Sequence, residues 1–208
     1  MSEPDVEPEL LSKRFLEIVH DLPEGDITIR DLLERVGQSG MQLFAIFLTL
    51  PFLVPVSVPG ISTVFGLLII LIGVGVALDR LPWLPDAIQK RHVPAGKLAT
   101  ALEQGAKLIE RVEVFLHPRW SVLSRGAAIH RFNGLTLAFA GALLMAPFGF
   151  VPFSNTLPGL AILFLALGML EGDGVFVLIG YLMTVATVFY FGVLLWGAWA
   201  AGAHMFAS

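Results

Sequence analysis

Two polar, proline-bearing segments interrupt the two most apolar stretches of this chain: Pro59-Gly60-Ile61-Ser62-Thr63-Val64-Phe65-Gly66 and Pro152-Phe153-Ser154-Asn155-Thr156-Leu157-Pro158-Gly159. At a constant offset of 93 residues, Pro59 meets Pro152, Ser62 meets Asn155, Thr63 meets Thr156 and Gly66 meets Gly159. A proline lacks the backbone donor and breaks a helix. The next helix then starts with N–H groups and a positive dipole end directed at the gap, a setting that favours an anion or a polar headgroup. Ser62, Thr63, Asn155 and Thr156 add hydroxyl and amide groups. Two such starts facing each other would form a polar chamber within a bilayer, as in transporters built from broken helices. The plainer alternative is that the four polar residues cap helices while the prolines fix two tight turns.

Other chemistry has little support. The chain has no cysteine, which excludes disulfides, thiolate catalysis and cysteine-based metal sites. His20, His92, His117, His130 and His204 are scattered, with no helix-spaced pair, so neither metal binding nor acid–base catalysis is expected. Ser57, Ser62 and Ser154 have no evident base nearby in sequence. No ionisable residue lies in 40–78 or in 132–170, whereas proton-coupled transport usually needs a titratable group inside the membrane. The nearest are Asp79, Arg80, Arg131, Glu171 and Asp173, at the edges of these units. Glu171 and Asp173 are placed to pair with Arg80 or Arg131, although a turn with solvated charges explains them more simply. His130 beside Arg131 and His117 beside Arg119 are placed to meet a lipid phosphate at the surface. No catalytic residue, cofactor or metal is expected.

The elements that would position these groups belong to a membrane protein. Hydrophobic residues make up 56% of the 208 and charged residues 14%, with a mean hydropathy of +0.79. Soluble domains carry about 25% charge. Several apolar runs reach or approach the roughly 20 residues that cross a bilayer. Residues 1–38 are polar, without the apolar core of a signal peptide. They read as cytoplasmic amphipathic helices, with a turn at Pro23-Glu24-Gly25-Asp26, Thr28 as a cap and Gly37 as a stop.

The first membrane unit occupies 39–79. Pro51, Pro55 and Pro59 interrupt it at four-residue intervals, Ser62 or Thr63 caps its second arm, and Gly66, Gly73 and Gly75 keep that arm narrow. Residues 80–131 form a polar linker in which Pro94 opens a helix to about Leu116. The second unit, 132–174, has arms at Leu135–Met145 and Leu160–Leu170. A final transmembrane helix, 175–200, carries Trp196 and Trp199 at its end, a placement suited to an interface. The expected fold is all-α: a polytopic membrane protein with two repeated broken-helix hairpins and a C-terminal transmembrane helix.

All 13 Lys and Arg residues lie in 1–35 or 80–131, so both regions, and the N-terminus, are expected in the cytoplasm. Each unit then leaves from and returns to the same side, either as two full spans or as a re-entrant hairpin. The net charge of −4 gives no support for a nucleic-acid partner.

Several of these segments, taken in order, resemble the ExoD family of exopolysaccharide-synthesis membrane proteins. They are Leu50-Pro51, the segment from Pro59 to Gly66, Leu81-Pro82-Trp83-Leu84-Pro85, Pro147-Phe148, Asn155-Thr156-Leu157-Pro158-Gly159 and Leu167-Gly168-Met169-Leu170-Glu171-Gly172-Asp173-Gly174. The resemblance runs from about Ile27 to Tyr190. It implies a bacterial inner-membrane location and a role in exopolysaccharide production, and supplies no catalytic residues. The resulting expectation is a small transporter, channel or lipid-handling protein with a site at Pro59, Ser62, Thr63, Pro152, Asn155 and Thr156. The alternative is a non-catalytic accessory subunit that docks a polysaccharide synthesis or export protein through Asp86–Leu116. Membrane lipid is an expected partner, and a homodimer is reasonable for so small and glycine-rich a membrane domain.

Overall fold

The computed structural model describes residues 25–53, 61–80, 92–94, 119–124, 126–146 and 151–206, together with His20 and Glu110. Five helices make up its body: α1 (Ile29–Leu53), α2 (Ile61–Ala77), α3 (Ala127–Leu144), α4 (Thr156–Glu171) and α5 (Gly174–Phe206). A three-residue antiparallel ladder precedes α1, with β1 (Asp26–Thr28) opposite β2 (His92–Pro94) and Ile27 facing Val93. Pro94, expected to open a helix, ends this ladder opposite Asp26. A proline is tolerated on the edge of such a pair because no ladder hydrogen bond need depend on its nitrogen. Most of the expected helix to Leu116 lies outside the described residues.

Helices α1 to α4 form a ring in which each packs on its two sequence neighbours and α4 closes onto α1. The most extensive packing is between α2 and α3, and α5 lies outside the ring, mainly against α4. Glycine sets the α2–α3 crossing. Gly66 lies against the backbone of Gly141, and Gly73 against that of Gly134, in antiparallel register. Helices in lipid gain little from excluding water from one another, so this close backbone approach is a main source of cohesion. Helices α4 and α5 are also antiparallel: Gly168 meets Val177, and Gly180 meets Leu165. Ile46, Ile69, Leu137, Leu144, Ile162 and Leu165 are almost completely buried and fill the interior with apolar side chains.

The two hairpins match at positions 93 residues apart. A Cβ on Gly66 would strike Met145, while one on Gly159 would meet Phe52. Arg80 N–H donates to Gly75 O, and Asp173 N–H donates to Gly168 O, at 3.0 and 2.9 Å. The residues just before these donors, Asp79 and Gly172, both have left-handed backbones, with φ of 54° and 68°. The second arms thus end in the same backbone turn, in which a residue past the helix closes onto a carbonyl five positions back. Glycine occupies this conformation without steric cost in one unit, and an aspartate, among the residues that tolerate it, occupies it in the other.

Several boundaries differ from the sequence expectations. Gly37 does not stop a helix: α1 runs unbroken through it and across the expected boundary between residues 38 and 39. One interior glycine costs only about 1 kcal/mol, and the apolar residues that follow pack into the ring. Pro51 also lies inside α1, two residues from its end, where little helix remains to be disrupted. Ser62 and Thr63 do not precede α2 as caps, because the helix already begins at Ile61. Helix α3 begins at Ala127, so His130 and Arg131 lie in its opening turns.

Candidate functional site

The end of α1 and the starts of α2 and α4 lie together at one end of the ring. Phe52, near the end of α1, stacks edge-on against Phe65 near the start of α2, with centroids 5.8 Å apart. Phe52 and Thr49 also border Gly159 near the start of α4. The link between α3 and α4 is tied to the middle of α5 by the Tyr190 hydroxyl, which donates to Pro152 O at 2.7 Å. Tyr190 lies 16 residues beyond Gly174, or about 24 Å along the helix.

The opposite end is polar. Asp173, only 1% exposed, accepts the Val175 N–H on Oδ1 at 2.9 Å and so caps α5. The expected turn of solvated charges is therefore corrected at this residue: a carboxylate at a helix start compensates unsatisfied donors and the dipole. Ser124 Oγ donates to Gly172 O at 2.7 Å, and Gly174 N–H donates to Arg119 O at 2.7 Å, fastening the segment 119–124 to the α4–α5 turn. Asn133, fully buried on α3, donates from Nδ2 to Leu123 O at 3.0 Å and accepts the Tyr181 hydroxyl of α5. The Nε2 of His130 is buried without a hydrogen-bond partner. Asp79, Arg80 and Arg131 are exposed and Glu171 is half-buried. No group of three or more His, Asp or Glu side chains suited to a metal ion occurs among the described residues.

At the hairpin end the expected site residues are distributed unevenly. Asn155 is 6% exposed and immediately precedes α4, yet its side chain makes no capping hydrogen bond. Thr156 and Ser62 are half-buried, Thr63 and Pro152 are exposed, and Pro59 lies outside the described residues. Helices α2 and α4 occupy diagonal corners of the ring. Among the described residues no hydrogen bond joins Ser62 or Thr63 to Asn155 or Thr156.

The start of α4 also offers fewer donors than a broken helix promises. Pro158 has no N–H, and the Leu157 N–H donates to Phe153 O at 3.0 Å. Of the four donors a helix start ordinarily leaves open, at most two remain.

The buried threonines contrast with Asn155. Thr49, Thr184 and Thr187 each donate to the carbonyl one turn earlier and so satisfy their hydroxyls locally. Gln42 is, with Asn133, another amide almost fully buried, at 5% exposed. It lies ten residues before Phe52 on α1, about 15 Å from the tips. Sequence spacing pointed to Asn155 but gave no sign of Asn133, Tyr181 or Tyr190, whose roles depend on which helices pack together.

Helices α3 and α5 are long and apolar enough to cross a membrane. Phe132, Leu135 and Phe139 on α3 are exposed, as are Leu182, Val185 and Phe189 on α5, in the manner of lipid-facing sides. These two helices and their exposed apolar sides point to a helical membrane protein. The family described as "Exopolysaccharide synthesis, ExoD" matches residues 11–193. The chain belongs to this family, whose role lies in exopolysaccharide synthesis. It is 45% identical over 201 residues to Protein ExoD of Rhizobium meliloti, covering 95% of this chain and 84% of that one. It is also 31% identical over 176 residues to an uncharacterized protein of Synechocystis sp., covering 80% and 82%. No solved structure matches.

Proposed function

We propose that this protein is a multi-pass protein of the bacterial inner membrane that handles or transports a ligand of exopolysaccharide synthesis at a polar site between its hairpin tips. Both hairpins enter from the cytoplasmic face, turn back within the bilayer and return. Helix α5 alone crosses completely. The link between α3 and α4 meets α5 at Tyr190, about 24 Å from its start, short of the roughly 30 Å hydrocarbon core. The α5 segment from Gly192 onward, with Leu195, Trp196 and Trp199 exposed, then continues to the far interface.

The observation that carries the reading is Asn155, a nearly buried amide at a hairpin tip whose hydrogen-bonding capacity the cap does not use. An amide so little exposed gains from a ligand that takes up its hydrogen bonds in place of water. Because Asn155 is buried and Thr63 exposed, the site centres on the second hairpin.

Complementation of exopolysaccharide production in a strain lacking this protein tests the proposal. Asn155→Ala, present in the membrane at normal abundance, abolishes production, whereas Thr63→Ala has a smaller effect. Full production with Asn155→Ala removes the site. Flux into proteoliposomes then separates transport from lipid handling.

A further inference from the structure

We infer that the site at Asn155 takes an uncharged, hydroxyl-bearing headgroup of an amphipathic lipid, admitted from the bilayer. The inference rests on the tip-site reading above and adds the chemical class of the ligand.

The groups at the tip argue for an uncharged headgroup. No Asp, Glu, Lys, Arg or His occurs in 40–78 or in 132–170, so no side-chain charge from either hairpin meets the ligand. An anion would depend on the start of α4, where Pro158 lacks a donor and Leu157 has already used its own on Phe153 O. A cation would need a cage of oxygens, whereas Asn155 offers two donors and one acceptor. A hydroxyl group, which donates and accepts at one atom, is the complement of an amide, and a headgroup with several hydroxyls also suits the half-buried Thr156 next to it in sequence.

The surroundings argue for an apolar tail. Phe153 is 58% exposed beside Asn155, and Pro152 is exposed. The bond from Tyr190 to Pro152 brings the tip against α5, where Phe189 is 73% exposed. A bulky residue rarely adopts a left-handed backbone, yet Phe153 does so with φ of 63°. The fold thus holds an aromatic side chain outward at the tip despite the strain. Among the described residues the ring interior is filled mainly by apolar side chains such as Ile46, Ile69, Leu137 and Ile162, which suits an apolar tail better than a small ion.

The test uses the full-length protein in phosphatidylcholine nanodiscs and follows its thermal unfolding midpoint. Four probes are compared: glucosyl diacylglycerol and phosphatidylglycerol in the bilayer, and free glucose and inorganic phosphate in the buffer. The inference expects a saturable rise with glucosyl diacylglycerol alone. Asn155→Leu raises the half-saturating mole fraction by about tenfold, the loss of one good hydrogen bond. Asn155→Gln, which keeps the amide, recovers part of the response, and Gln42→Leu, which removes a buried amide far from the tip, leaves it unchanged. An equal Asn155-dependent rise with phosphatidylglycerol overturns the uncharged class. An Asn155-dependent rise with free glucose or phosphate overturns the amphiphile class and leaves the tip site standing. Responses to all probes that are the same in wild type and Asn155→Leu overturn both readings.

Discussion

Replacing Gly73 with alanine should force the most closely packed helix pair apart. A Cβ on Gly73 lies 2.4 Å from Ala138 N, 2.7 Å from Gly134 O and 2.8 Å from Ala138 Cα. All three are backbone atoms, so no side-chain rotation relieves the clash. Ordinary contact begins near 3.4 Å, so α2 and α3 must separate by about 1 Å. Overpacking of this kind costs about 1–3 kcal/mol, against which the better helix propensity of alanine returns up to about 1 kcal/mol. The net expectation is a loss of about 1–2 kcal/mol. Gly192 and Gly197 on α5 are the internal controls, since a Cβ there meets nothing within 4 Å. Equilibrium unfolding of the purified protein in mixed micelles measures all three variants. Gly73→Ala unfolds at lower denaturant than wild type, whereas Gly192→Ala and Gly197→Ala unfold at the same concentration or higher. Adding Gly134→Ala to Gly73→Ala costs less than Gly134→Ala alone, because both substitutions part the same two backbones. Equal midpoints for Gly73→Ala and Gly192→Ala would refute the proposed crossing.

Three further outcomes are expected. Tyr181→Phe leaves the fully buried Asn133 oxygen without its donor and costs about 1–3 kcal/mol, while Asn133→Leu combined with Tyr181→Phe is less harmful than the two single losses added together; a double-mutant cycle of unfolding free energies reads the coupling. His130→Phe removes a buried nitrogen that has no partner, so the unfolding midpoint is unchanged or higher. Phe153→Gly relieves a strained backbone worth about 1–3 kcal/mol and does not lower the midpoint, yet it removes the exposed aromatic ring at the tip and weakens exopolysaccharide production.

The parts of the fold legible in the sequence were those governed by local composition. The apolar arms, the break around Pro152, and the polar turn from Glu171 to Gly174 follow from hydropathy and from the residues that stop helices. Gly66 and Gly73 were legible as points of close approach, although their partners Gly141 and Gly134 were not, because register belongs to the pair of helices. Gly37 misled because a local stop signal of about 1 kcal/mol is weaker than the packing of the residues beyond it. Asp173 misled for the opposite reason: a charge beside a turn resembles a solvated one until a following helix start supplies a donor. The candidate site is proposed at a residue that spacing singled out. Spacing identified Asn155, but equal weight for Thr63 assumed a symmetry that burial does not follow. The bond that holds the tip, from Tyr190 to Pro152, spans 38 residues and has no sequence signature.

In the proposed topology both hairpins turn back inside the bilayer. The chain has no cysteine, so single cysteines at Asp79, Gly126, Phe153 and Ala203 report directly on membrane sidedness. A membrane-impermeant maleimide is applied to sealed vesicles of both orientations. Labelling is expected at 79 and 126 only from the cytoplasmic side, at 203 only from the opposite side, and at 153 from neither until detergent is added. Labelling at 153 from the outer side as rapidly as at 203 would contradict this topology, making the link between α3 and α4 an external loop joining two full spans.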